Sequence, residues 1–295
     1  MPESWRSQYP FSSSYLTIGG HRYHYLDEGD REAPPLLLLH GNPTWSFYYR
    51  HLIPSLSKTH RVIVPDHIGC GLSDKPQDYA YTLANHIDNI ETLTAHLRLK
   101  RPGLIMHDWG GIIGMGYATR HPEDVSRFIV LNTGAFHVKP RAIPLSIHFC
   151  RLPVIGQLAV QGLNAFAGLA TFFAVTRRDR MTKTVRSGYL APYNSWQNRI
   201  AVHRFIRDIP FSPSHVSYPV LDRIDTGLER LKDHPMLIVW GGKDFVFNVK
   251  NFLSVWKQRF PQADVCLLED AGHYVVEDAH ERMLPRMLEF LQRSA

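Results

Sequence analysis

Cysteine is scarce in this sequence of 295 residues, which contains three: Cys70, Cys150 and Cys266. Their number is odd, they are far apart, and their spacing matches no metal-binding pattern. This excludes a disulfide-stabilised scaffold and a cysteine metal site as the basis of the fold. We expect all three to be small buried apolar side chains, and the sequence points to no cofactor and no metal.

Residues 1–15 are polar and aromatic and do not show the charged, apolar and small-residue pattern of a secretion signal. We therefore expect a cytoplasmic protein. Residues 152–176 contain no charged side chain and are long enough to span a bilayer. Polar residues and helix breakers interrupt this segment, so a membrane span is not expected: Pro153, Gly156, Gln157, Gln161, Gly162 and Asn164.

Acidic residues are fewer than basic ones: 27 Asp and Glu stand against 33 Lys and Arg, giving a net charge of +6. Such a balance can indicate binding to nucleic acid or to an anionic membrane. No nucleic-acid-binding motif is present, so we expect no nucleic-acid partner. The densest basic group is interpreted as a solvated face: Arg177, Arg178, Arg180, Lys183 and Arg186.

Apolar patterning predicts strands that alternate with helices. The predicted strands are residues 15–18, 21–27, 34–40, 61–65, 103–106, 127–132, 235–241 and 264–268. The predicted helices are residues 45–56, 82–99, 112–121, 221–231, 250–260 and 280–293. This alternation is typical of a parallel sheet with helices on both faces. Ligands bind beyond the carboxyl ends of such strands, so the loops after residues 40 and 107 should meet at one site.

The alternation stops near residue 136, and residues 137–211 are predicted to be helical and loop-like, with many aromatic side chains. We interpret this segment as an inserted helical cap over the catalytic edge of the sheet. The predicted core domain then consists of residues 1–136 and 212–295. The uncharged residues 152–176 would line an apolar pocket or form a subunit interface.

The most informative segment is Leu104-Ile-Met-His-Asp-Trp-Gly-Gly111. An apolar strand is followed by a sharp turn with an acid at its tip, then by small residues and a helix, which is the layout of a nucleophile elbow. Asp108 stands where most such elbows carry serine, next to a helix N-terminus that favours negative charge. Met106 occupies a position where many elbows have a small residue.

An acid and a histidine follow later strands in the order expected for a catalytic triad: Asp108, then Asp244, then His273. Alone, Asp244 would be interpreted as a turn former and His273 as a structural residue, but three matches in order favour catalysis. An ionised Asp108 can attack an sp³ carbon and form an ester. His273 would then activate water, while Asp244 orients the imidazole ring.

Hydrogen-bond donors are expected on both sides of Asp108. The backbone N–H groups of Asn42 and Trp109 would form the oxyanion hole. Their side chains, an amide and an indole, carry no negative charge and could bind a departing anion such as halide. The alternative interpretation is that Asn42 is a turn residue and Trp109 a packing residue.

Three segments make the chain resemble the haloalkane dehalogenases of the α/β-hydrolase superfamily: His40-Gly-Asn-Pro-Thr-Trp45, Asp66-His-Ile-Gly-Cys-Gly-Leu-Ser-Asp-Lys-Pro76 and His107-Asp-Trp-Gly-Gly111. The resemblance extends over nearly the whole chain. It implies an α/β-hydrolase fold, with a mostly parallel eight-stranded sheet flanked by helices and an inserted helical cap. It also implies that Asp108 is the nucleophile, His273 the base, and Asn42 with Trp109 the halide-binding pair.

The subgroups of that family differ in the position of the triad acid. One subgroup carries Glu after the sixth strand, where this chain has Asn132-Thr-Gly134; Asp244 follows the next strand. An Asp acid with an Asn–Trp pair resembles the third subgroup. The predicted activity is therefore that of a haloalkane dehalogenase, which uses water to cleave a carbon–halogen bond and releases alcohol and halide.

The third subgroup also contains the β-lactone decarboxylases of long-chain olefin biosynthesis, and their cap resembles residues 188–210. The resemblance therefore implies that the substrate is a small hydrophobic haloalkane or β-lactone. Epoxide hydrolase is a second alternative, with Tyr189 and Tyr193 as proton donors, although those enzymes usually carry an aromatic residue at the Asn42 position. Fluoroacetate dehalogenases would have Arg in place of Trp109. A non-enzymatic ligand-binding protein and a homo-oligomer also remain open.

Overall fold

The computed structural model describes residues 4–293, in which eight strands form a single sheet. The strands are β1 (Ser13–Ile18), β2 (His21–Glu28), β3 (Pro35–Leu39), β4 (Arg61–Pro65), β5 (Gly103–His107), β6 (Phe128–Leu131), β7 (Met236–Gly241) and β8 (Asp264–Leu268). Each predicted strand is present, and no bound differs from the prediction by more than two residues.

The strand order is β1-β2-β4-β3-β5-β6-β7-β8. The pairs β1–β2 and β2–β4 are antiparallel and the other five pairs are parallel, so the sheet is mostly parallel as predicted. Strand β3 has β4 on one side and β5 on the other. The loops that leave β3 and β5 therefore diverge at a topological switch point, where ligands bind in sheets of this kind.

Eleven α-helices lie in the described part of the chain. They are α1 (Ile53–Leu56), α2 (Leu83–His96), α3 (Trp109–Arg120), α4 (Leu145–Cys150), α5 (Ile155–Gln157), α6 (Ala165–Phe173), α7 (Lys183–Leu190), α8 (Ile200–Arg207), α9 (Tyr218–Gly227), α10 (Ser254–Arg259) and α11 (Val275–Gln292). Two π-helical turns, Leu158–Gly162 and Val249–Leu253, precede α6 and α10.

Two predicted helices differ from the structure near a proline or a kink. Residues 45–56 form a 3₁₀ turn, Ser46–Tyr49, and the short α1, because Pro54 has no N–H and its ring would clash in a continuous helix. The last helix was predicted to begin at residue 280, but α11 begins at Val275. It is kinked at Ala279, where φ is −149° and ψ is 21°, so the predicted helix is the part beyond the kink.

The sheet buries apolar side chains on both faces. Leu36 and Leu38 of β3 belong to one core cluster, and Leu37 and Leu39 belong to the other, as expected for a strand whose successive side chains alternate between the two faces. Met106 is fully buried beneath α3. A Cβ at Gly114 would lie 2.4 Å from Met106 Sδ, so the glycine in the helix makes room for the large elbow residue.

Residues 137–211 contain no strand of the sheet and include α4 to α8. We propose that they form a cap separate from the core of residues 4–136 and 212–293. The uncharged segment 152–176 is divided between α5, a π-helical turn and α6, with a left-handed residue, Asn164, before α6. Within residues 4–293, no helix combines the length and the apolar character that crossing a membrane requires.

A buried carboxylate, Glu277, forms an ion pair within the core and accepts a hydrogen bond that connects the core to the cap. Glu277 of α11 accepts hydrogen bonds from Arg50 Nη2 at 2.8 Å and from the Tyr189 hydroxyl of α7 at 2.8 Å. Burial by itself would raise the pKa of the Glu277 carboxyl, but His51 and Arg50 lower it to about 2. The ionised form is therefore the one that the fold stabilises.

Glu277→Gln is expected to destabilise the protein by about 3–5 kcal/mol, because Arg50 would keep a buried charge without a partner. In the wild type the folded pKa lies below the ordinary value of 4.5. The stabilisation should thus be complete above about pH 4.5 and disappear as the pH falls toward about 2. Thermal unfolding at several pH values measures both effects. The control is Glu281→Gln, which removes an exposed carboxylate from the same helix; equal losses in the two variants would contradict the prediction.

Candidate active site

A single residue separates β5 from α3. That residue is Asp108, with φ 51° and ψ −125°, so the turn is sharper than predicted and α3 begins three residues earlier than the predicted helix. The two glycines after Trp109 permit this close approach. A Cβ at Gly110 would lie 2.0 Å from the Leu39 carbonyl oxygen, and one at Gly111 would lie 1.9 Å from Thr133 Oγ1.

The carboxylate of Asp108 points into the loop that follows β3. Its Oδ1 accepts the backbone N–H of Asn42 at 2.6 Å, and the backbone N–H of the next residue, Trp109, also lowers the pKa of this carboxylate. A Cβ at Gly41 would lie 2.0 Å from the same oxygen, so only glycine fits there. Burial raises the pKa of Asp108, although His273 and the two N–H donors oppose that shift.

His273 and Asp244 lie on the other side of the carboxylate. His273 Nδ1 donates to Asp244 Oδ2 at 2.9 Å, and His273 Nε2 lies 3.8 Å from Asp108 Oδ2. Burial lowers the pKa of His273. The charge and the hydrogen bond of Asp244 raise it, as does the charge of Asp108, and together they exceed the effect of burial, so the pKa is raised above its ordinary value. The structure therefore brings the three predicted triad residues together.

Asn132 is a supporting residue that the sequence reasoning did not identify. Its Nδ2 donates to Asp244 Oδ2 at 2.8 Å and to the Gly241 carbonyl at 3.2 Å, and its Oδ1 accepts the Gly241 N–H at 2.7 Å. It thus holds the loop that carries the acid. The sequence feature that could have identified Asn132 is its place directly after β6, the position at which one subgroup of haloalkane dehalogenases carries the acid of its catalytic triad.

The predicted anion-binding side chains lie beside Asp108. Asn42 Nδ2 donates to the Val202 carbonyl of α8 at 3.1 Å, which attaches this loop to the cap. The Trp109 indole is half-buried, and its ring centroid lies 5.0 Å from that of Phe205. Asn42 and Trp109 both line one cavity, so the structure brings the two donors together. One N–H of the Asn42 amide is already bonded to the cap.

A cavity of about 580 Å³ extends from Asp108 between sheet and cap. Most of its lining is apolar, and its polar groups include Asn42, Asp108, Trp109 and His273. Such a site suits an apolar substrate that reacts at one polar end. No cluster of three or more His, Cys, Asp or Glu side chains that could hold a metal occurs within residues 4–293.

The two cap tyrosines of the epoxide hydrolase alternative do not line this cavity. The Tyr189 hydroxyl donates to Glu277 Oε2 at 2.8 Å, and the Tyr193 hydroxyl donates to the Thr44 carbonyl at 3.2 Å. Both hydroxyls are therefore engaged elsewhere. An opening epoxide would lack the proton donors that this alternative requires.

The family model described as alpha/beta hydrolase fold matches residues 34–279. The chain belongs to this family. This confirms the predicted fold, and the structure of a haloalkane dehalogenase loop variant from Bradyrhizobium elkanii agrees with it. That structure superposes with a TM-score of 0.85 at 23% identity, covering 95% of this chain and 96% of the other.

Two of the proteins similar to this chain bear the name cis-3-alkyl-4-alkyloxetan-2-one decarboxylase. The protein from Shewanella oneidensis is 46% identical over 96% of this chain and 89% of its own length. The protein from Xanthomonas campestris is 41% identical over 97% and 98%. A haloalkane dehalogenase from Mycobacterium bovis is 31% identical over 95% of each chain.

These identities overturn the prediction that the protein is a haloalkane dehalogenase. The resemblance to the wider group is confirmed, because both kinds of relative match nearly the whole chain. However, the two decarboxylases are more similar to this chain than the dehalogenase is, by at least ten percentage points. The predicted Asn–Trp pair and Asp nucleophile did not distinguish the two activities.

Proposed function

We propose that this protein is a decarboxylase of cis-3-alkyl-4-alkyloxetan-2-ones, which are β-lactones with two alkyl substituents, and that it releases an alkene and carbon dioxide. The observation that carries the proposal is 46% identity, over 96% of the chain, to a relative with that name. The buried carboxylate at one end of an apolar cavity supports it, since a dialkyl lactone is apolar outside its ring.

The first proposed step is attack by Asp108 on the ring carbon that carries the ring oxygen. A bond forms between Asp108 Oδ2 and this carbon, and the carbon–oxygen bond of the ring breaks. The configuration at the carbon inverts, and the ring oxygen becomes part of a free carboxylate. Asn42 and Trp109, whose side chains line the cavity beside Asp108, would donate hydrogen bonds to that carboxylate as its charge develops.

The second proposed step removes carbon dioxide. The bond between the carboxylate and its ring carbon breaks, and its electron pair forms the carbon–carbon double bond. The ester bond to Asp108 breaks at the same time, which regenerates the carboxylate of the enzyme. Inversion followed by anti elimination keeps the two alkyl groups on the same side, so a cis lactone gives a cis alkene.

This cycle consumes no water and transfers no proton. His273, 3.8 Å from Asp108 Oδ2 and hydrogen-bonded to Asp244, would act through its charge. If it instead activated water, the ester would be hydrolysed to a β-hydroxy acid. An apolar cavity that excludes water would favour elimination over this side reaction.

The direct test is to incubate the purified protein with a cis-dialkyl β-lactone and, separately, with a panel of brominated alkanes. Alkene and carbon dioxide should form in equal amounts from the lactone, and bromide release should be far slower. Rapid bromide release with no alkene would overturn the proposal. The trans lactone is a control for stereochemistry, because the same two steps would convert it into the trans alkene.

Trp109→Phe is expected to lower kcat for alkene formation by about 10²-fold, the usual effect of removing one donor from a developing anion. The phenyl ring keeps most of the contact with Phe205, so the melting temperature should change little. Trp196→Phe is the matched control, because Trp196 is 38% exposed and lies outside the cavity lining. Equal kcat values in the two variants would exclude an anion-binding role for the indole.

A further inference from the structure

The cap carries a concentration of exposed apolar side chains. Of the sixteen large apolar side chains that are exposed within residues 4–293, ten lie in residues 145–173. The most exposed are Leu145 at 85% and Leu163 at 80%. Large contiguous apolar surfaces are uncommon on monomeric soluble proteins and mark sites of interaction.

The cap as a whole, residues 137–211, carries a net positive charge, whereas the remainder of the chain carries a net negative one. Residues 137–211 contain eleven Lys and Arg and two Asp, a net charge of +9. Because the whole chain carries +6, the other residues carry a net charge of −3. The basic cluster was expected to be a solvated face, but the contact of Arg186 with the exposed Phe172 gives it another role.

Several of these basic groups are exposed, and Arg186 contacts a side chain of the apolar surface. Arg178 and Lys183 are exposed and form no salt bridge within the described residues. Arg186 lies with its guanidinium carbon 4.1 Å from the ring centroid of Phe172, which places the basic cluster against α6. At the start of the cap, Lys139 and Arg141 are also exposed.

The apolar surface continues into the cavity that reaches Asp108. Phe149, Leu169 and Phe173 are 49%, 52% and 60% exposed, and all three also line the cavity. A molecule arriving at this surface could therefore enter the site along apolar side chains, without first crossing water.

We propose that the cap docks peripherally on an anionic lipid surface, with its exposed apolar side chains in the headgroup region and its basic side chains on lipid phosphates. This combination of apolar residues and a basic border is what binds proteins to the membrane interface. It differs from a membrane span, for which no helix of the described chain is suited. Apolar substrate would pass directly from the bilayer to the cavity. The proposal does not depend on which reaction Asp108 performs.

The test is flotation of the full-length protein with lipid vesicles, without substrate. We expect binding to phosphatidylcholine vesicles that contain about 30% phosphatidylglycerol and little binding to pure phosphatidylcholine, because anionic lipid attracts the basic side chains. Salt at about 1 M should weaken the binding, since it screens charges beyond a few ångströms. No binding to anionic vesicles, or equal binding to both compositions, would overturn the proposal.

Two pairs of substitutions separate the contribution of the basic side chains to vesicle binding from that of the apolar side chains. Arg178→Gln with Lys183→Gln should weaken binding to anionic vesicles by about 25-fold, from about 5-fold for each charge. Leu145→Gln with Leu163→Gln should weaken it by at least about tenfold, since both side chains would leave an apolar environment. None of these four residues lines the cavity, so activity on a short, soluble substrate should not change.

The controls remove the same kinds of group elsewhere. Lys58→Gln with Lys100→Gln removes two exposed charges outside the cap, and Val216→Gln removes an apolar side chain that is 70% exposed. These variants should bind vesicles like the wild type. If they lose as much binding as the cap variants, docking through the cap is wrong. Sedimentation velocity tests whether a second copy of the chain, rather than a lipid surface, covers the exposed apolar side chains of the cap. A stable dimer that Leu163→Gln dissociates would assign this surface to the second copy and would also overturn the proposal.

Discussion

Replacing Asp108 by asparagine is expected to abolish alkene formation from a cis-dialkyl β-lactone, with kcat falling by about 10⁵-fold or more. An amide at this position cannot form the ester bond. The shape of the elbow should survive, because the amide oxygen can still accept the Asn42 N–H that Oδ1 accepts now, at 2.6 Å. Initial rates of alkene release, measured by gas chromatography, give the effect.

The same substitution should stabilise the fold. Because burial raises the pKa of Asp108 in the folded state, the ionised carboxylate opposes folding at any pH above its unfolded pKa. Removing the charge should therefore raise the melting temperature at neutral pH. An inactive variant that is also less stable would have lost activity through misfolding, and it would contradict this account of the nucleophile.

Asp208→Asn provides the matched control for a buried carboxylate. Asp208 is 6% exposed, burial raises its pKa to about 6, and it lies outside the cavity lining. Its variant should also be stabilised at neutral pH but should keep its activity. If both variants were inactive, the loss of any buried carboxylate near the cap would be enough to abolish activity. The result would then not identify Asp108 as the nucleophile.

The fold could be predicted from the sequence because its strands are short apolar runs bounded by turn residues. The run from Gly103 to His107 is buried throughout, and the Gly19–Gly20 hairpin has positive φ at both glycines. Local patterns were less informative where tertiary contacts decide the backbone. The kink of α11 at Ala279 follows from no turn residue, and the sequence therefore showed only the second part of that helix.

The predicted site residues lie together because each follows a strand, and the carboxyl ends of parallel strands share one edge. The contacts that position them could not be predicted. Asn132 bridges two neighbouring strand ends by three hydrogen bonds, and Val202 of the cap engages the Asn42 amide. Both interactions join residues more than one hundred positions apart, which no local pattern specifies.

The activity was mispredicted for a chemical reason. A carboxylate nucleophile, a histidine and two neutral donors suit either a departing halide or a departing carboxylate, because both leave as anions without needing a proton. The residues at the reacting centre therefore do not distinguish a haloalkane from a β-lactone. What distinguishes the reactions is the fate of the ester on Asp108, which is hydrolysed in one case and eliminated in the other.

His273→Phe is expected to separate these two fates. A brominated alkane used as a probe should release one bromide per protein molecule and then stop, because water cannot be activated to cleave the ester. Bromide turnover should fall by more than about 10⁴-fold, and mass spectrometry should find the alkyl group on Asp108. The fold should persist, since the Asp244 carboxylate keeps N–H donors from Val246, Phe247 and Asn132.

Alkene formation from the lactone should respond very differently to the same substitution. Elimination needs neither water nor a base, so His273→Phe should lower it by at most about 10²-fold, the loss of one electrostatic contact. Any β-hydroxy acid formed by the wild type should vanish. His148→Phe, which changes an imidazole outside the cavity lining, should behave like the wild type. If His273→Phe instead trapped the opened lactone on Asp108 without releasing alkene, a proton transfer through His273 would be part of decarboxylation, and the proton-free cycle would be wrong.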